Sequence, residues 1–283
     1  ISLPRSGSSW VGSVLSNAPN TMYLREPITQ TNRQSLRAKD RQPVMFELGA
    51  RPIPRRYTQV CKTAFSGIPA FDKNIVSKPE QFLLSHRKSK KLVIKEVNPL
   101  GIAWFIENYR PKVVYLVRHP AAVANSYHRL GWTKVPSKDR FKTVTYPSSR
   151  SPLEDWHWQP SSASFWSYSG MVQAMVSRHV SGVLAQYPDC KTLRYEDICL
   201  DPQASFRALY EFCGLTWDST VAAKLTRSTT SSAESSTGEY TLKRNSAAMA
   251  KKWVDQIAPE NLSILKQAYL HHAPTHYAAP ADW

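Results

Sequence analysis

The sequence contains no apolar run longer than a strand. Its longest, such as Val113-Val114-Tyr115-Leu116-Val117, fall far short of the roughly 18 to 20 residues of a membrane span, so no membrane helix is expected. Cysteine is scarce as well: Cys61, Cys190, Cys199 and Cys213 follow no C-x-x-C or other metal spacing, and four in 283 residues do not make a disulfide scaffold. Buried free thiols are expected, with a bridge as the alternative. No zinc-finger spacing and no RNP-like aromatic motif accompanies the basic residues, which argues against nucleic acid. Internal repeats, an initiator Met and a signal peptide are all missing. Because residue 1 already lies inside an apparent first strand, an N-terminal segment carrying any targeting signal or anchor is expected to precede it.

Acid is the last shortage. Asp and Glu number 21 against 37 Lys and Arg, a net charge of +16. A polyanionic partner fits that balance, and so does a plain solvated basic surface. The bases gather as Arg51, Arg55 and Arg56, as Arg87, Lys88, Lys90 and Lys91, and as Lys134, Lys138, Arg140 and Lys142. With 42% hydrophobic and 11% aromatic residues the chain is expected to fold as one globular domain over residues 1–283.

What is present begins at the first residues. Ile1-Ser2-Leu3 leads into Pro4-Arg5-Ser6-Gly7-Ser8-Ser9-Trp10 and then Val11-Gly12-Ser13-Val14-Leu15, which reads as strand, tight turn and helix N-terminus. Such a junction binds anions, because the first helical amides have no internal partner and the helix dipole adds partial positive charge. Gly7 permits close backbone approach, Arg5 brings a full charge, and Ser6, Ser8 and Ser9 add hydroxyl donors. The glycine-lysine pair of an ATP-binding loop is absent, which disfavours a nucleoside triphosphate kinase.

Further along, Met22-Tyr23-Leu24-Arg25-Glu26-Pro27 reads as a short strand whose end is extended at Glu26, since Pro27 disfavours helix there. The alternative is a surface Glu paired with Arg25 or another base. Residues 28 to 60 read as loop with short helices. Lys91 to Val97 is a strand with Lys95 and Glu96 in it; Lys95 either pairs with a nearby carboxylate or ends in a site, because an unpaired buried charge is expensive. Leu100 to Tyr109 reads as an amphipathic helix. Lys112 to Leu130 gives a buried strand, Arg118 at its end, Pro120 opening a helix and Ser126 eight residues beyond Arg118, so both side chains are expected to converge on one anion. Tyr146, Trp156, Trp158 and Trp132 lie in a loop where they either stack on a ligand or pack on one another. Phe165 to Tyr187 is a helix, Thr192 to Asp197 a strand ending in Tyr-Glu-Asp, and Asp201-Pro202 starts a helix that stops at Gly214. Thr226 to Gly238 is expected to be mobile, and a last helix is expected near Asn261 to His271.

Four of these stretches, in this order, resemble the motifs of the sulfotransferases that use 3′-phosphoadenosine 5′-phosphosulfate (PAPS), over residues 1 to about 255. The resemblance is greatest to the carbohydrate, Golgi-type branch, through Tyr-Leu-x-Glu-Pro. It implies an α/β fold, a P-loop-like three-layer sandwich with a central parallel sheet, which the alternation of strands and helices also supports. It implies that Arg5, Ser6, Gly7, Ser8, Ser9 and Trp10 take the 5′-phosphosulfate, that Arg118 and Ser126 take the 3′-phosphate, and that Tyr195 lies near the adenine. Tyr240 to Ser246 and Trp253 match the segment that closes on the cofactor, with Lys243, Arg244 and Asn245 at the 3′-phosphate or, alternatively, as surface residues.

In-line sulfuryl transfer needs positioning, a base for the acceptor hydroxyl and cations on the leaving oxygen. The resemblance implies Glu26 as base and Arg5 and Lys95 as cations, with no metal. Cytosolic small-molecule members carry a His just after the Lys of the strand that here holds Lys95; this chain has Val97 in that place, which leaves Glu26, with Glu96 in reserve. The expected acceptor is a hydroxyl-bearing, anionic glycan and the product PAP. A small-molecule hydroxyl or amine acceptor, and a noncatalytic polyanion-binding protein, are the alternatives. Membrane contact is expected only through a preceding segment, and the compartment is the Golgi lumen for an anchored eukaryotic protein, otherwise the cytoplasm.

Overall fold

Val113 to Val117 is the middle of the molecule, and its side-chain alternation sets the layers. The structure, a computed structural model, describes residues 1–37, 45–48, 52–135, 164–229 and 246–283. In chain order the elements are α1 (Ser8–Leu15), β1 (Thr21–Arg25), α2 (Pro27–Gln34), α3 (Arg55–Phe65), β2 (Lys91–Lys95), α4 (Ile102–Tyr109), β3 (Val113–Val117), α5 (Pro120–Arg129), α6 (Phe165–Leu184), β4 (Cys190–Arg194), α7 (Tyr195–Leu200), α8 (Pro202–Cys213), α9 (Ser219–Thr229), α10 (Ser246–Lys251) and α11 (Pro259–His271). β1 pairs parallel with β2 from Thr21↔Lys91 to Arg25↔Lys95, and β3 pairs parallel with β4 from Val113↔Cys190 to Val117↔Arg194.

The first three residues join these pairs. The Leu116 amide donates to the Ile1 carbonyl (2.9 Å), the Ser2 amide donates to the Glu96 carbonyl (3.2 Å), and Ser2 bridges Leu116 in parallel. The order across the sheet is therefore β1, β2, residues 1–3, β3, β4. All five segments run the same way, so every predicted site residue of the described chain that follows a strand emerges at one edge.

Successive residues of a strand face opposite ways, and here each face meets helices. Val113, Tyr115 and Val117 pack with Met171, Met175 and Val176 of α6 and Tyr269 of α11. Leu116 points the other way, against Val11, Val14 and Leu15 of α1 and Phe206, Leu209 and Tyr210 of α8. Burying each such side chain contributes about 1.5–3 kcal/mol. The result is the expected three-layer α/β sandwich around a parallel sheet.

Caps fall where the sequence puts them. Pro120 opens α5, and the His119 ring Nδ1 accepts the Ala121 amide (3.2 Å); Asp201 Oδ1 accepts the Ala204 amide (3.1 Å) at the start of α8, and Gly214 ends that helix at φ 65. The four cysteines are free thiols, Cys61 and Cys199 buried and Cys190 and Cys213 partly so.

Several expectations need correction. Glu26 is not extended: it adopts the left-handed conformation (φ 49, ψ 45) because β1 ends at Arg25 and α2 starts at Pro27, so one residue makes the whole turn. The short helices expected within residues 28 to 60 are present, as α2 and the first turns of α3. The strand expected through Asp197 stops at Arg194, and Tyr195-Glu196-Asp197 open α7, whose N-terminus favours acidic residues. Thr226 to Thr229, expected to be mobile, completes α9. Tyr146, Trp156, Trp158, Lys243, Arg244 and Asn245 lie outside the described residues.

Candidate functional site

The turn after residues 1–3 is tight enough to demand left-handed backbone twice. Arg5 has φ 66, which costs an L-residue about 1–2 kcal/mol, and Gly7 has φ 90 as the N-cap of α1. Gly7 is also fixed by space: a Cβ there would lie 2.3 Å from Cδ2 of Tyr195. The Trp10 and Val11 amides donate to the Gly7 carbonyl (3.0 and 3.2 Å), leaving the Ser8 and Ser9 amides at the head of the helix. Tyr127 Oη donates to the Pro4 carbonyl (3.0 Å) and ties the turn to α5. Not every serine serves the opening. Ser8 and Ser9 line it, although the Ser8 hydroxyl is hydrogen bonded to that of Ser2 (2.8 Å), and Ser6 is buried away from the cleft.

Arg118 leaves β3 and lies over the Tyr195 ring, its Cζ 4.5 Å from the centroid, while Nη1 donates to the Arg5 carbonyl (3.0 Å). Its buried Nε has no hydrogen-bond partner among the described residues. Ser126 does not meet Arg118 directly: its Oγ accepts from Arg5 Nε (2.8 Å). Arg5, part of the first turn, thus contacts both members of the second pair: its carbonyl accepts from Arg118 and its guanidinium donates to Ser126.

At the ends of β1 and β2 the Glu26 Oε1 and Lys95 Nζ form an ion pair, with side chains 14% and 7% exposed. Lys95 thus pairs with a carboxylate and also lines the cleft. Burial lowers its pKa, and Glu26 partly offsets that. Gln30, one turn along α2, donates to Glu26 Oε2 (3.2 Å). Glu96 has a different post. Its Oε1 accepts the Ile28 and Thr29 amides (2.6 and 3.2 Å) and its Oε2 the Thr29 hydroxyl (2.7 Å), so it caps α2 from another strand. Full burial raises its pKa against the pull of those donors.

These residues line one cleft of about 830 Å³. Arg5, Gly7, Ser8, Ser9, Trp10, Glu26, Lys95, Arg118 and Tyr195 are brought together there; Ser6, Ser126 and Glu96 stand behind the wall. Sequence reading missed Arg25, Arg33, Lys78, Gln30 and Tyr127, which also line it. Gln30 and Arg33 follow Glu26 at the helical spacings of four and seven, a signal available once α2 is started at Pro27. Tyr127 carried none.

Behind the Arg118 junction sits a buried polar knot. The His119 amide donates to Glu196 Oε1 (3.1 Å), Tyr277 Oη donates to Glu196 Oε2, and His119 Nε2 meets the Asp282 carbonyl (2.7 Å). The His119 ring stacks on Trp253 (4.1 Å), and Arg194 pairs with Asp282 (2.9 Å). Burial lowers the His119 pKa to about 4, although the Asp282 carbonyl pulls the other way, so the ring is neutral with Nδ1 accepting and Nε2 donating.

The sequence profile described as the sulfotransferase family matches residues 1–219. No curated protein matches the sequence. Among solved structures, the sulfotransferase domain of the olefin synthase from Synechococcus PCC 7002 is similar at 15% identity and a TM-score of 0.50, over 94% of this chain and 91% of that one. The sulfotransferase domain of the curacin biosynthetic pathway is similar at 16% identity and a TM-score of 0.48, over 94% of each chain. Mouse SULT7A1, in complex with PAP, is similar at 12% identity and a TM-score of 0.44, over 97% of this chain and 82% of that one. The family profile spans the Pro4–Trp10 turn, the Glu26–Lys95 pair and the Arg118 junction, and the chain belongs to the sulfotransferase family.

Proposed function

We propose that the protein transfers the sulfuryl group of PAPS to a hydroxyl of an anionic acceptor, a carbohydrate of the kind used by the Golgi-type branch. The observation that carries the reading is the placement of the Glu26–Lys95 pair in the same cleft as the Pro4–Trp10 turn and Arg118. The donor set suits PAPS: a helix N-terminus with Arg5 for one anionic end, and the guanidinium of Arg118, whose buried Nε has no hydrogen-bond partner among the described residues, for another. PAPS supplies, when bound, an activated sulfuryl group at one end and a 3′-phosphate as a handle at the other.

This chain's residues then have separable tasks. Tyr195 and Trp10, edge to face at 5.9 Å, offer apolar surface for a base. Glu26 accepts the proton of the acceptor hydroxyl. Once protonated it no longer neutralises Lys95, and the ammonium is released to face negative charge on the leaving side. Arg5 faces the same charge from the turn. A preorganised cation in a partly dry cleft is worth more there than in water.

Charge balance supports the anionic acceptor. Among the described lining residues stand Arg5, Arg25, Arg33, Lys78, Lys95 and Arg118, against Glu26 as the sole carboxylate. Trp132, 52% exposed at the cleft and packed on Tyr127, offers a face on which a sugar ring can lie. Incubation with PAPS and a panel of glycans, hydroxylated small molecules and amines, with PAP release as readout, tests the reading. PAP formed only with acidic glycans is expected; a neutral phenol or lipid as the best acceptor, or no PAP with any acceptor, refutes it.

A further inference from the structure

We propose that Arg33 binds an anionic group of the acceptor, set at a fixed distance along α2 from the reacting hydroxyl. The inference rests on the reading just given and adds the residue and the spacing.

Glu26, Gln30 and Arg33 line the cleft from one face of α2. Seven residues of helix separate the base from the guanidinium, about 10 Å along the axis. The intervening contact is already made: Gln30 holds Glu26 at one end, and Gln34 Nε2 donates to Gln30 Oε1 (3.2 Å) at the other. The row is therefore ordered, and Arg33 projects beside it at the exposed end.

Charge points to the ligand. α2 contains no acidic residue, and among the described residues Arg33 has no carboxylate partner. Lys95 is neutralised by Glu26, and Arg5 and Arg118 belong to the turn and the β3 junction. Lys78, the other lysine of the cleft, donates to the Ser16 carbonyl and to Asn17 Oδ1 (2.9 Å each). Arg25 also lines the cleft but is half-buried; of the six cations among the described lining residues Arg33 is the exposed one, and it carries a planar fork that fits carboxylate or sulfate in two parallel bonds. An arginine in the last turn also complements the helix dipole, so the test must separate ligand binding from helix stability.

The probes are a four-sugar oligomer of alternating glucuronic acid and N-acetylglucosamine, and the same oligomer with its carboxyls reduced to alcohols. Binding of each to the PAP-loaded protein is measured by calorimetry for wild type, Arg33→Gln and Arg33→Lys. Wild type is expected to bind the acidic oligomer about tenfold or more tightly than the reduced one, the scale of a charge-assisted hydrogen bond. Arg33→Gln is expected to erase that preference, Arg33→Lys to restore part of it, and PAP affinity and Tm to stay put in both. If wild type prefers the acidic oligomer and Arg33→Gln keeps the full preference, the assignment of Arg33 is overturned while the anionic acceptor stands. If wild type does not discriminate, or binds neither oligomer, the anionic carbohydrate reading falls and this inference with it. Loss of PAP affinity or Tm in step with the preference also overturns it, as the mark of a structural role.

Discussion

Replacing Glu26 by Gln tests the centre of the proposed chemistry, because Gln is close in size and can still accept a hydrogen bond from Gln30 but cannot hold a proton. Turnover is expected to fall by about a hundredfold or more, the usual scale for a positioned general base. The structure adds a second, independent effect. Lys95 is 7% exposed and Glu26 is its ion-pair partner, so the variant leaves a buried ammonium uncompensated. Breaking a fully buried pair costs about 3–5 kcal/mol; with one side open to the cleft, roughly half of that is expected. At about 2–4 °C per kcal/mol the variant should melt several degrees lower at pH 7. The sign with pH follows from Lys95. Burial already lowers its pKa and Glu26 counters this, so without Glu26 the folded protein sheds that proton still earlier than the unfolded chain does. The unfolded state then binds more protons over that range, and stability rises with pH. The Tm deficit should therefore shrink between pH 7 and pH 9. Steady-state rates, PAP calorimetry and melting curves at both pH values are the assay, with Glu96→Gln as control because Glu96 caps α2 outside the cleft. A Glu26→Gln enzyme near wild-type turnover, or a Glu96→Gln enzyme that loses turnover at unchanged PAP affinity, would refute the assignment.

Arg118→Ala should weaken PAP by about tenfold or more while sparing adenosine 5′-phosphosulfate, which lacks the 3′-phosphate; equal losses for both nucleotides in calorimetry would contradict a 3′-phosphate role. Ser126→Ala should act less strongly, since Ser126 reaches the cleft only by holding Arg5. Gly7→Ala should abolish PAP binding and lower Tm, because φ 90 and the Tyr195 ring both refuse a methyl group; retained affinity would show that the turn has another shape. His119 binds its proton only near pH 4 when folded but near 6.5 when unfolded, so its share of stability declines as pH falls through that window, by about 2 kcal/mol between pH 7 and pH 5. His119→Asn keeps a helix cap and should remove that increment from the urea-unfolding difference between the two pH values; an unchanged difference would place the acid sensitivity elsewhere.

The layers were legible because β3 and the helix faces obey their periods without interruption, and the tight turn because Gly7 stands between an apolar run and the first helical residues. What escaped reading depends on partners distant in the chain. Nothing near Glu96 shows that Thr29 and Ile28 will occupy it, so a capping carboxylate passed as a reserve base. Pre-proline preference gave the wrong backbone for Glu26, because the geometry of joining β1 to α2 through one residue outweighs a local bias of that size. Ser6 and Ser8 looked equal to Ser9 as donors, yet a tight turn points consecutive side chains in different directions. Arg33 was passed over as one basic residue among many until α2 gave it a register.

The knot behind Arg118 has a bearing on how the protein is made. His119 and Glu196 are satisfied by Asp282 and Tyr277, partners 163 and 81 positions away in sequence. A ribosome delivers the Pro4–Trp10 turn, both arms of the sheet and α5 long before residue 282 exists. Until then His119 Nε2 and Glu196 Oε2 lack these partners, and the Arg118 junction leans on an unfinished wall. Contacts of such long separation form late, because their loop closure must be met before they reward it. The nascent protein thus passes through a period in which the Pro4–Trp10 turn can form while the support behind Arg118 is still missing, and that support is complete only when Tyr277 and Asp282 dock.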